Sequence, residues 1–201
     1  MQQEDLSMTR HLFLTGPTGS GKSTLLRRSL GTALSRAGGF VTEAVRGSYG
    51  ELVGFALSPA AAAGGVAGFV PERFLDCSRF PPRTDNEVFR DTGVRLLQEA
   101  VLYPYALLDE FGGFELIIPQ FRSALYALFR SELPIVGALK TEAEAEAMRQ
   151  ALGLGEKCRG YAEELRRFLR EDENTCLIEV RSPNDPLAAE ALADWLREYA
   201  G

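Results

Sequence analysis

The stretch that decides the fold is GPTGSGKS, Gly16 to Ser23. It follows a short apolar run, His11-Leu12-Phe13-Leu14-Thr15, of the kind that forms a buried parallel strand. It precedes Thr24-Leu25-Leu26-Arg27-Arg28-Ser29-Leu30, which has the character of a first helix. The pattern is G-x-x-x-x-G-K-[ST], set in strand, glycine-rich turn and helix. Gly16, Gly19 and Gly21 lack a Cβ, so the backbone can curl closely around an anion with its amides pointing inward. The helix that follows adds the positive end of its dipole. Lys22 then reaches the β- and γ-phosphates of a nucleoside triphosphate, and the Ser23 hydroxyl ligates Mg2+. Gly16, Pro17, Thr18, Gly19, Ser20, Gly21, Lys22, Ser23 and Thr24 form the candidate binding loop for ATP or another triphosphate.

The 201 residues suffice for one generous α/β domain, and no linker or repeat divides them, so residues 1–201 are expected to form a single domain. No apolar run approaches the roughly 18 residues that span a bilayer. The opening Met1-Gln2-Gln3-Glu4-Asp5 is polar and acidic, a lead-in to the first strand rather than a signal or transit peptide. Cytoplasm is the expected location. Cys77, Cys158 and Cys176 are far apart and form no C-x-x-C pair, so neither a zinc site nor a disulfide framework is indicated. The net charge of −6 argues against broad binding to nucleic acid or acidic lipid. The single histidine, His11, leaves no room for a histidine-based triad or metal site.

The helix after the loop is expected over about Lys22 to Arg36, stopped by Gly38-Gly39. Gly39 to Arg46 and Glu51 to Leu57 flank the turn Gly47-Ser48-Tyr49-Gly50 and predict an antiparallel hairpin. Pro59 to Gly68 is too poor in large side chains for a core and reads as a loop, with a short strand beginning at Phe69-Val70. Arg79 to Asn86 reads as a surface excursion. A helix from about Asn86 to Val101 is expected to bury Val94, Leu97 and Val101, with Phe89 and Leu96 as alternative members. Helices are also expected at Pro119 to Ser131, after Glu142, around Arg159 to Arg170, and from Asp185 to Tyr199; strands are expected at Leu133 to Ala138 and Thr175 to Val180.

The second chemical landmark is Tyr105-Ala106-Leu107-Leu108-Asp109-Glu110, an apolar run ending in two acids. It reads as a central parallel strand whose carboxyl end lies at the edge where open α/β sheets bind ligands. Asp109 is placed to hold Mg2+ with Ser23. Glu110, one residue on, points elsewhere and is the candidate to orient or deprotonate an attacking water. Glu115 either touches this site or is an exposed acid. Lys140, after the next strand, is expected at the surface, with approach to the γ-phosphate as the alternative. The Glu-Ala alternation after Glu142 reads as a solvated face, as do the arginines Arg159, Arg166, Arg167 and Arg170 among their glutamates, rather than as a phosphate-binding lid.

With TGPTGSGKSTL (Thr15 to Leu25), GFVTEAVR (Gly39 to Arg46), LLDEFGGFEL (Leu107 to Leu116) and IEVRSPND (Ile178 to Asp185) in order, the chain resembles the cancer-related nucleoside-triphosphatase family. The second and third stretches together are far more specific than the first. The resemblance implies a RecA-like P-loop fold: a three-layer α/β/α sandwich around a mostly parallel sheet, with the hairpin as an antiparallel addition. It implies hydrolysis of ATP, GTP and other triphosphates, with Lys22 and Glu110 as the matching catalytic positions and Ser23 and Asp109 as the Mg2+ positions. Glu43 and Arg46 match a segment flanking the site. Gly113 stands where the family usually has Lys, Asp185 where it often has Arg, and the Ala-rich stretch has no counterpart.

Two other readings use the same loop. A small-molecule or nucleotide kinase transfers phosphate only to an acceptor, and an ATP-dependent regulatory module turns over slowly. The guanine-selecting N-K-x-D sequence is absent, since Lys140-Thr141-Glu142 does not match it. The adjacent Asp-Glu pair favours hydrolysis, because a kinase keeps water from that position. No feature of the sequence identifies a protein partner.

Overall fold

A computed structural model describes residues 9–201; the expected lead-in Met1 to Asp5 lies outside the described residues. The elements are β1 (His11–Thr15), α1 (Lys22–Leu30), β2 (Ala37–Arg46), β3 (Leu52–Pro59), α2 (Ala60–Ala63), β4 (Glu72–Asp76), β5 (Arg83–Thr84), a composite helix α3 (residues 86–102), β6 (Tyr105–Phe111), α4 (Pro119–Phe129), β7 (Ile135–Leu139), α5 (Glu142–Ala151), α6 (Glu156–Glu171), β8 (Thr175–Glu179) and α7 (Pro186–Tyr199). They build one eight-stranded sheet in the order β5-β4-β3-β2-β6-β7-β1-β8. β2, β6, β7, β1 and β8 run parallel, and β3, β4 and β5 extend the sheet antiparallel. The hairpin expected from GFVTEAVR is thus β2–β3, and it carries two further strands.

Alternation along the parallel strands divides the core between the two faces of the sheet. Leu12, Leu14 and Leu107 join Leu25 and Leu26 of α1 and Leu192 and Trp195 of α7 on one face. Phe13 and Leu108 join Phe121 and Leu125 of α4 and Leu165 and Leu169 of α6 on the other. α7 begins as the sequence suggests, with the Asp185 carboxylate accepting from the Leu187 and Ala188 amides and Pro186 in the first turn. Among the described residues no helix is long and apolar enough to cross a membrane. The three cysteines form no disulfide. His11 is buried at the amino end of β1, where burial pushes its imidazole below the ordinary value.

Four local expectations are corrected. The first helix ends at Leu30, and a 3-10 segment, Gly31–Arg36, leads directly into β2. Gly38 and Gly39 therefore lie inside a strand and stop no helix. A Cβ on Gly38 would come within 2.7 Å of the Ala100 Cα, so glycine is what allows α3 to lie against β2. Pro59 to Gly68 contains α2, whose Ala60 and Ala61 are buried, because small side chains let it sit close to the 3-10 segment. The strand expected at Phe69-Val70 forms at Glu72–Asp76. Finally, Val101 is 58% exposed. A π turn, Phe89–Gly93, interrupts α3 and shifts its phase, so Phe89, Leu96, Leu97 and Ala100 face the core.

Candidate active site

Because β1, β6 and β7 are parallel neighbours, their carboxyl ends deliver three segments to one edge of the sheet: the loop after β1, Asp109-Glu110 and Lys140. The loop adopts the positive φ angles that its glycines permit, 138° at Gly16, 81° at Gly19 and 95° at Gly21. A Cβ on Gly16 would lie 2.5 Å from the Val180 carbonyl oxygen, and one on Gly21 would overlap Pro183 at 2.6 Å. These contacts press the loop against the segment after β8. Pro17, Thr18 and Gly19 are exposed at its crest, Ser20 is buried beneath, and Thr24 is exposed on α1.

Lys22 opens α1 and is 3% exposed. Its Nζ donates to the Gly16 carbonyl at 2.5 Å and the Pro17 carbonyl at 3.2 Å, folding the side chain along the loop. It also meets Glu144 Oε1 at 3.3 Å. Ser23 Oγ donates to Asp109 Oδ1 at 2.8 Å, and Arg27 approaches the other carboxylate oxygen at 3.7 Å. Asp109 is only 2% exposed, and burial pushes its carboxyl up to about 6, against the Ser23 hydrogen bond and with help from Glu110. A buried carboxylate short of positive charge, beside a hydroxyl, is a hard-oxygen pair that fits a small divalent cation. Among the described residues no three His, Cys, Asp or Glu come together as a metal cluster, so such a cation would complete its shell with phosphate and water oxygens.

Glu110 departs from regular strand geometry. The β6–β7 ladder slips between Leu108 and Phe111, and Glu110 has φ 66°, a positive value shared by no other non-glycine described residue. A bulge of this kind re-aims a side chain at a sheet edge, and strained backbone clusters at functional sites. The Glu110 carboxylate meets Lys140 Nζ at 3.1 Å, and the same ammonium donates to the Glu110 carbonyl. Lys140 is buried, contrary to its expected surface position. Its own carbonyl accepts from Arg166 at 2.7 Å, so Arg166, expected on a solvated face, is instead buried and pins the end of β7. Arg159 pairs with Glu146 on the surface. The Lys140 side chain passes 3.2 Å from where a Cβ on Gly113 would lie. The cation that the resemblance leads one to expect at position 113 is thus absent, and a lysine from the neighbouring strand passes close to that position.

Glu115 is buried and accepts from the Gly112 and Gly113 amides at 2.6 and 2.8 Å, which fixes the turn beyond Glu110. Glu43 and Arg46 turn away from the centre. Glu43 accepts from Ser58, and Arg46 closes the hairpin turn on the Gly50 carbonyl, while Thr42 and Ala44 of the same strand face the site.

Glu144 is the site residue that sequence reasoning missed. The signal was present: Thr141 and Glu144 are spaced as a capping box, and the box forms at the start of α5. Glu144 also accepts from Thr18 Oγ1 at 2.7 Å. Burial works against its charge, but the Thr141 amide, the Thr18 hydroxyl and Lys22 outweigh it and hold its carboxyl below the usual range. Its carboxylate thus occupies the Lys22 ammonium, for which a bound phosphate would have to compete. Glu144→Gln keeps an acceptor for the cap while removing the charge, and roughly three- to tenfold tighter MgATP binding is expected by titration calorimetry. Unchanged or weaker binding would show that Glu144 does not compete with the nucleotide.

The fold and this edge define a P-loop nucleotide-binding α/β domain. The sequence model of the NTPase family matches residues 11–162, and the chain belongs to that family. Among curated proteins it is similar to the nucleoside-triphosphatase THEP1 of Thermotoga petrophila, at 30% identity over 139 residues, 66% of this chain and 73% of that protein. It is likewise similar to the nucleoside-triphosphatase THEP1 of a Thermotoga species, strain RQ2, at 29% over 136 residues, 66% and 75% of the two chains. Among solved structures, that of THEP1 from the hyperthermophile Aquifex aeolicus shares the fold, with a TM-score of 0.62 at 18% identity, covering 90% of this chain and 95% of that one.

Proposed function

We propose that the chain is a single-unit, Mg2+-dependent nucleoside-triphosphatase that cleaves ATP, GTP and other triphosphates to diphosphate and phosphate. The observation that carries this reading is the shared edge. The loop with Lys22, the Ser23–Asp109 pair at 2.8 Å and the bulged Glu110 meet at the carboxyl ends of adjacent parallel strands. In this reading the loop amides of Gly16 to Thr24 and the N-terminus of α1 hold the phosphate chain. Lys22 leaves the Gly16 and Pro17 carbonyls to neutralise the β- and γ-phosphates. Ser23 and Asp109 would hold Mg2+, which would supply charge stabilisation on the phosphate oxygens. Glu110 orients a water in line with the γ-phosphorus and takes its proton, and the Lys140 ammonium keeps that side chain directed.

Phosphate release from a panel of ATP, GTP, CTP and UTP, without any acceptor, tests the reading directly. Turnover of all four within about tenfold of one another is expected, with loss of at least about a hundredfold when EDTA removes the cation. Undiminished turnover in EDTA, or no phosphate release in Mg2+, would refute it.

A further inference from the structure

The phosphate loop, Glu110 and Lys140 line one end of a cavity of about 600 Å3 that extends away from the loop. Its far walls are apolar. Phe55 of β3, Phe74 of β4, Phe89 of α3 and Phe114 line it on one side, and Ala147 and Met148 of α5 on the other. Phe89 meets Phe74 and Phe114 edge to face, and Phe74 and Phe114 are tilted against each other, with ring centroids 4.9 to 5.9 Å apart, so this wall is a packed surface rather than a set of loose side chains. Phe89 enters it from the first residue of the π turn that breaks α3, a kind of irregularity concentrated at functional sites.

Neither the phosphate chain of a nucleotide nor a water molecule explains the aromatic end of this cavity. Phosphates require amides and cations, which lie at the loop end. A nucleophilic water occupies about 30 Å3 and is poorly held by phenylalanine. The volume falls in the range of small-molecule sites, about 300 to 1,000 Å3, which pair apolar walls with a few convergent polar groups. Here the polar groups converge at one end only. Glu110 and Lys140 stand where the aromatic chamber meets the phosphate loop, with Thr42 and Thr141 nearby on the lining.

We propose that the chamber is a phosphoryl-acceptor site for a small, largely apolar alcohol whose hydroxyl reaches Glu110. This rests on the roles given above to the loop and Glu110. The acceptor oxygen forms a bond to the γ-phosphorus, and the bond from that phosphorus to the β,γ-bridging oxygen breaks. The nucleoside diphosphate leaves with the electron pair, and the hydroxyl proton passes to the Glu110 carboxylate. With the chamber empty, water takes the same position and the outcome is hydrolysis. With it filled, the apolar ligand excludes water from the γ-phosphate.

The probes are 2-naphthaleneethanol and its hydroxyl-free counterpart 2-ethylnaphthalene, tested on the full chain. Saturable binding of both is expected from ligand-observed NMR without nucleotide. With MgATP, the alcohol is expected to yield a phosphate monoester in 31P spectra, and the hydrocarbon is expected to reduce phosphate release without forming an ester. Ala147→Trp and Phe55→Trp fill the chamber from opposite walls, away from the phosphate loop. Each is expected to weaken probe binding at least tenfold while leaving phosphate release from ATP alone within about twofold of the unmodified chain. The proposal is overturned if neither probe binds saturably, if both variants bind the probes unchanged, if the alcohol binds but no ester forms, or if filling the chamber removes hydrolysis together with probe binding. Probe binding by a protein that releases no phosphate from ATP would instead refute the hydrolytic reading and leave the chamber as a ligand site.

Discussion

Glu110→Gln is expected to lower kcat for ATP by about a hundred- to ten-thousandfold while changing the Kd for MgATP by less than about threefold. The substitution keeps the shape of the side chain and an acceptor for the Lys140 ammonium, now at 3.1 Å from the carboxylate. It removes the basicity that takes a proton from the nucleophile. Because Glu110 lies on a bulge and not in the phosphate loop, the amides and Lys22 proposed to hold the triphosphate are untouched. Single-turnover phosphate release and calorimetric nucleotide binding separate the two effects. Hydrolysis by the Gln variant at the rate of the unmodified chain would remove Glu110 from the chemistry. A loss of binding as large as the loss of kcat would make it a ligand-holding residue.

The largest effect on stability is expected at Gly39. It sits in β2 with φ +81°, in register with Leu107 of β6, and a Cβ there would lie 2.4 Å from the Leu107 carbonyl oxygen. Alanine would carry both the strain of a left-handed backbone and a clash with main-chain atoms that cannot swing aside. Such strain alone costs about 1 to 3 kcal/mol. With the overlap added, Gly39→Ala is expected to destabilise the fold by roughly 3 to 5 kcal/mol, at the upper end of single substitutions. Gly31→Ala is the comparison: its φ is also positive, at +49°, but nothing lies within 4 Å of a Cβ there, so it carries the strain alone. The urea midpoint reads both. Equal losses at the two positions would mean that the contact with β6 contributes nothing.

Much of the site was legible because phosphate binding constrains sequence locally. The loop needs glycines at fixed offsets, a lysine and a hydroxyl, and all fall within eight consecutive residues, Gly16 to Ser23. The run ending in Asp109-Glu110 was legible for a similar reason: a parallel strand buried on both faces is almost wholly apolar until its ligand-bearing end. The turn Gly47 to Gly50 between two strand-like runs made the hairpin legible, and the family resemblance added the mostly parallel sheet. Lys140 was legible as a site residue only as the alternative to a surface position, and Glu144 was not legible as one. Their roles depend on which strand lies beside β6 and on where α5 starts relative to the phosphate loop, and neither has a sequence period. The phase of α3 was misjudged at Val101 because a π turn has no hydrophobic signature of its own.

By itself, then, the sequence determined the phosphate-loop motif, the acidic pair and the apolar runs that make a parallel sheet, since each is set by neighbours along the chain. The tertiary structure alone decided that Lys140 would pair with Glu110, that Glu144 would occupy Lys22, and that aromatic residues from β3, β4 and α3 would close an apolar chamber beside them. Those contacts join residues separated by tens of positions, and they exist only once the strand order has brought their elements to a common edge.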